Sequence, residues 1–206
     1  MKRSLRWIAV TAIAAAAGHA AAFSVSISPG SHAVYLQVGV GSFTGNFATG
    51  GSGSANATVN KVSVTVPASV VGSGTAQQMT SDSTQAVSFY DGRTFCTPPA
   101  QVYIGGYVRS GNGNPAATLT VTTSAANLTN ASGDTIPFTE VSWTASGIGD
   151  ATQAIPSGSF TGGTQTLANF GTNQWKESCH TFSYANSASV ASGTYTGRAT
   201  YTLSEP

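Results

Sequence analysis

The chain predicts an all-β fold, a two-sheet antiparallel sandwich of the immunoglobulin-like kind, with a closed barrel as second choice. Three observations carry this. Short runs alternate apolar side chains with hydroxyls, turn-forming clusters separate those runs, and no helix-period pattern of useful length follows the N-terminal segment.

Taken in order, the chain opens with a basic start, Lys2, Arg3 and Arg6, and an apolar run from Trp7 to Ala17 broken only by Thr11. Ala20-Ala21-Ala22 then offers a small-residue cleavage site, so residues 1–22 read as a secretory signal. The run is shorter than the about 20 apolar residues a membrane span needs, and nothing later in the sequence is long and apolar enough to span. Residues 23–206 then form one sandwich domain. Phe23, Val25 and Ile27 alternate with serines up to Pro29-Gly30. Further alternation covers Val34 to Val40, Val62 to Val66, Val87 and Phe89, Val102 and Ile104, Leu119 and Val121, Val141 and Trp143, and Phe182 and Tyr184. The cleanest strand is the last, with Tyr195, Ala199, Tyr201 and Leu203 on one face and threonines on the other. Turn clusters at 110–115, 130–134 and 146–150 separate the runs. Residues 39–57 are Gly/Ser-rich and read as a mobile loop or linker, and 67–84 as a long polar connection with short elements in it.

The chain has 8 Lys+Arg and 7 Asp+Glu, and only 7% of its residues are charged, against about 25% in ordinary globular proteins. Loss of residues 1–22 would leave five basic residues against the same seven acidic ones. That balance excludes the basic stripe that nucleic acid demands. It argues equally against electrostatic attachment to a membrane surface. Low charge also lowers the barrier to self-association. Cys96 and Cys179, an even pair in a chain that reads as exported, are expected to form a structural disulfide. No CxxC spacing supports a redox or metal role for them.

Motifs for chemistry are missing. G-x-S-x-G, G-x-G-x-x-G and the P-loop do not occur, despite 24 glycines. His32 and His180 are far apart in sequence, and abundant serines make any invented triad worthless without geometry. Of the carboxylates, Asp91, Asp134 and Asp150 sit in turn sequences, while Glu140 and Glu177 read as solvated strand residues. No catalytic residue, metal or cofactor is expected, and the chain reads as a non-enzyme. Aromatic faces can stack on sugar rings. Trp143, sharing a strand face with Val141, is assigned to the core. Trp175, in the loop-like Asn173-Gln174-Trp175-Lys176, is expected to pack near Cys179, and with Tyr107 it is also the candidate for ligand binding. The sequons at Asn56, Asn127 and Asn130 read as products of Asn/Thr richness, because the alanine-rich signal has a bacterial character.

The signal, the low charge and the closing run Gly193-Thr194-Tyr195-Thr196-Gly197-Arg198-Ala199-Thr200-Tyr201-Thr202-Leu203 resemble exported Gram-negative surface proteins with immunoglobulin-like sandwiches, in particular fimbrial and spore-coat-U-like subunits. The chain departs from chaperone–usher pilins in ending Leu203-Ser204-Glu205-Pro206, with no penultimate aromatic. It departs from true immunoglobulin domains in placing Glu177, not Tyr, two residues before the second cysteine. The resemblance implies an extracytoplasmic structural protein, in the periplasm, on the surface or secreted, that self-associates into filaments. A glycan- or surface-ligand-binding module is the alternative. Phe23-Ser24-Val25-Ser26-Ile27-Ser28 would suit strand addition to a neighbour, or would serve as the first strand of its own sandwich.

Overall fold

In a computed structural model of the chain, residues 24–45, 56, 58–109, 116–148 and 152–205 are described. The signal segment 1–22, the turn cluster 110–115 and most of the Gly/Ser-rich segment lie outside them. Fifteen strands are named among the described residues: β1 (Ser24–Ser26), β2 (Ala33–Val38), β3 (Gly41–Gly45), β4 (Val62–Ser63), β5 (Gln77–Gln78), β6 (Thr80–Ser81), β7 (Val102–Arg109), β8 (Ala117–Thr123), β9 (Asn127–Thr129), β10 (Thr135–Pro137), β11 (Val141–Ser146), β12 (Gly158–Ser159), β13 (Thr164–Phe170), β14 (Gln174–Tyr184) and β15 (Ala199–Ser204). Among the described residues helical structure is confined to two short 3₁₀ turns, Ala68–Val70 and Phe138–Glu140. The fold is all-β and antiparallel, and it does not close into a barrel.

The larger sheet runs β12–β11–β14–β7–β2–β3, with β1 and β5 attached to β14. Facing it is the sheet β13–β8–β15. The alternating pattern sets which side chains go inside. In β8, Ala117, Leu119 and Val121 are buried while Thr118, Thr120 and Thr122 face outward beside Asn169, Thr166 and Thr164 of β13. From the larger sheet, Val34, Leu36, Ile104, Val108, Val141, Trp143 and Phe182 fill the interior with Phe138, Phe160, Phe170 and Leu203. Burying one such aromatic contributes on the order of 2–3 kcal/mol.

Strand β14 is the spine. Residues 174–178 pair with β7, and residues 179–184 pair with β11. Its other edges take β1, through Val25 opposite Trp175, and β5, through Gln78 opposite Ser183. Cys96 and Cys179 are joined, as the sequence predicts, across 83 residues. Two local expectations change, and the 67–84 connection shows the short elements read there. The glycine-rich reading of 39–57 gives way at Gly41–Gly45, which forms a hairpin with β2 around Gly39 at φ 56°. Glycine supplies that left-handed turn without a Cβ penalty. The 67–84 connection contains β5 and β6 and is pinned by Asn186, whose side chain accepts from Gly72 N (2.9 Å) and donates to Val70 O (2.8 Å). Val87 and Phe89 lie in a hairpin with a single bridge, Val87 to Thr94, not in a strand of a sheet.

Candidate functional site

Two features stand out once the sandwich is built. The first is an incomplete core. Among the described residues β15 pairs on one side only, with β8, and β4 pairs only with β6. Between β15 and the extended segment 58–66 lies a trough of about 2030 Å³. Val62, Val64 and Val66 alternate into one wall and stay half-buried, while Ala199, Tyr201 and Leu203 line the other. Its floor consists of core side chains, Val102, Phe138, Phe160 and Phe182. At one end His32 Nε2 lies 2.7 and 2.8 Å from the two Glu205 oxygens, tying the approach to β2 to the end of β15. Burial pushes the Tyr201 phenol up, and its oxygen has no hydrogen-bond partner.

The second feature is the outer face of the larger sheet, which a half-buried reading would leave to solvent. Tyr35, Tyr107 and Trp175 are direct cross-strand neighbours on β2, β7 and β14. Their rings lie near-parallel at centroid distances of 5.5–5.7 Å. The next row is Gln37, Gly105 and Glu177. The hairpin Ala86–Cys96 covers both rows. Phe89 stacks on Tyr35 at 4.7 Å, Tyr90 tilts against Trp175 at 5.8 Å, and Ser88 Oγ donates to the Glu177 carboxyl group at 2.8–2.9 Å. Tyr103 Oη donates to the same carboxyl group at 2.5 Å. Burial, reinforced by Glu177, pushes the Tyr103 phenol well up. Burial also raises Tyr35, whose hydroxyl donates to Gln37, to about 12.

Trp175 is therefore not loop-like. It lies inside β14, is 2% exposed, and has no hydrogen-bond partner for Nε1. Tyr107 sits beside it, half-buried under the Arg109 guanidinium at 5.3 Å. The structure thus brings the two sequence candidates into one cluster, with Trp175 as its buried base. Glu177, read as solvated, is fully buried. The alternation misleads there because β14 is covered on both faces. The remaining buried polar side chain of note is His180, which stacks on Trp143 at 5.7 Å. Burial pushes it down to about 4, partly opposed by its contact with Ile155 O. Among the described residues no group of three or more His, Cys, Asp or Glu is placed to hold a metal, and no helix is long and apolar enough to cross a membrane.

Gly105 is what lets Tyr103 reach Glu177. A Cβ there would lie 2.6 Å from Tyr103 Cζ and closer still to its hydroxyl oxygen. Tyr103 is fully buried and cannot swing away. Gly105→Ala is expected to cost about 1–3 kcal/mol, seen as a lower denaturant midpoint. An unchanged midpoint would show that the Tyr103–Glu177 contact is not tightly fitted.

Comparison with protein families, with curated proteins and with solved structures finds no match for this chain.

Proposed function

We propose that this protein is a non-enzymatic structural subunit that works outside the cytoplasm and joins copies of itself by strand addition. The observation that carries this reading is the apolar trough between β15 and residues 58–66, segments that among the described residues pair on one side only. An edge of that kind is a template for another strand. The segment Phe23–Ser28 has the required pattern, with three apolar side chains to fill the floor and three serines to face out. It is also as long as β15, six residues or about 20 Å. Within one chain, β1 holds the β14 edge through only three residues, two of them exposed, so little has to be given up for the segment to cross to a neighbour. The disulfide and the low charge agree with a protein exposed to an oxidising exterior.

Purified protein at high concentration is expected to form filaments in electron micrographs. Val25→Asp and Ile27→Asp together should leave a folded monomer that does not grow. A free peptide with the sequence of residues 23–28 should cap growth and raise the melting temperature by occupying the trough. A wild-type chain that stays monodisperse and is not stabilised by the peptide overturns the proposal.

A further inference from the structure

The hairpin Ala86–Cys96 is held far more firmly than a surface turn requires. Its ties are the disulfide at Cys96, the Ser88–Glu177 hydrogen bonds, the stacking of Phe89 on Tyr35, and the backbone bonds Ser88 N to Arg93 O and Phe95 N to Ala86 O, both 2.8 Å. Yet it turns apolar side chains to solvent beside the polar turn Asp91–Arg93. Val87, Phe89 and Tyr90 are three of the six large hydrophobic residues exposed among the described ones, and Phe89 is 60% exposed. A clustered, pre-organised apolar patch on an otherwise hydroxyl-rich surface is the signature of a binding site.

We infer that this hairpin and the neighbouring Tyr107 and Arg109 form a platform for the hexopyranose rings of a polysaccharide. The ring of Phe89 is packed on Tyr35 from below, which leaves its outer face for a ligand. One face of a pyranose carries C–H groups that lie on an aromatic ring, while its hydroxyls point to the rim and need polar partners. Those partners are present. Asp91 and Arg93 lie in the hairpin turn itself, and Tyr107, with the Arg109 guanidinium over its ring, stands beside Tyr35 and Trp175, on which Phe89 packs. A purely apolar partner would strand these groups. A folded protein partner would need about 800 Å² per side, more than three exposed side chains present, whereas a sugar ring needs little more than one aromatic face. Weak single contacts of this size suit a site repeated along an assembly, where multivalency raises retention. The inference stands without assembly, since every residue of the platform belongs to one chain.

The test is retention of the purified protein on cellulose, chitin and mannan, with polystyrene beads as the apolar control. Retention on at least one polysaccharide is expected, reversed by soluble oligosaccharide of the same linkage. Phe89→Ala should weaken it roughly tenfold, the worth of one aromatic contact, and Phe89→Leu, which keeps an apolar side chain against Tyr35 and Trp175 but offers no ring, should weaken it as much while holding the melting temperature nearer the wild type. Oligosaccharide should also shift the Trp175 emission, since Phe89 and Tyr90 both lie against that indole. The inference is overturned if no polysaccharide retains the protein, if only polystyrene does, or if Phe89→Ala binds as well as the wild type.

Discussion

Removal of the Cys96–Cys179 bridge, by reduction or by Cys96→Ser, is expected to lower the unfolding free energy by about 4–5 kcal/mol, the chain-entropy value for a closed loop of this length. The bridge spans 83 residues and has no free cysteine to exchange with among the described residues. Two consequences separate it from an ordinary core substitution. The unfolded chain becomes more expanded without the cross-link, so the denaturant slope m should rise while the midpoint falls. The hairpin carrying Phe89 loses its covalent tie and relies on the Ser88–Glu177 hydrogen bonds and its ring contacts, so proteolysis should begin near residues 88–95. Equal midpoints for oxidised and reduced protein would refute the stabilising role.

Acid should destabilise the protein through His180. The ring is fully buried against Trp143 and Phe182, and burial holds its pKa at about 4, below the ordinary 6.5. In the unfolded chain the same imidazole takes up a proton near pH 6.5. The unfolded state therefore binds more protons between pH 6.5 and 4, and folding stability falls with pH across that window. A shift of this size corresponds to roughly 3 kcal/mol at the lower end. Above pH 6.5 the contribution is fully present, and below pH 4 it falls no further. His180→Leu should flatten this part of the profile, as read by urea unfolding at pH 7.5 and 4.5. Parallel pH dependence in both proteins would contradict the assignment.

The sequence was most informative where one face of a strand meets solvent. Alternation in Leu119 and Val121, and in Tyr201 and Leu203, placed those strands correctly because threonines mark the wet face. It was least informative on the doubly covered strands. Tyr35, Gln37, Tyr103 and Glu177 lie on the second face of the larger sheet, and their burial depends on a hairpin that arrives from far along the chain. A polar residue such as Glu177 then reads as solvated, although the disulfide partner two residues later was a usable sign that this face is covered. Trp143 was legible as core from its neighbour Val141. The packing of Trp175 near Cys179 was legible too, but its place inside a strand was not, because its flanking Asn173, Gln174 and Lys176 have the composition of a loop, whereas Asn173 takes a positive φ just before the strand. The trough left no local signature, since its walls, residues 58–66 and β15, are more than 130 residues apart in the sequence. Only the alternation of residues 23–28 hinted that an additional strand was of interest.

The position of the disulfide also determines how the molecule would answer a pulling force. Tension applied through residue 24 at one end and residue 205 at the other reaches Cys96 and crosses directly to Cys179. Everything between, including β7, β8 and β13, lies in a closed ring that carries no load along its contour. About 280 Å of chain is thereby withheld from extension. With its flanking strands pulled free, the molecule would lengthen only by those flanks and would keep an unstretched centre.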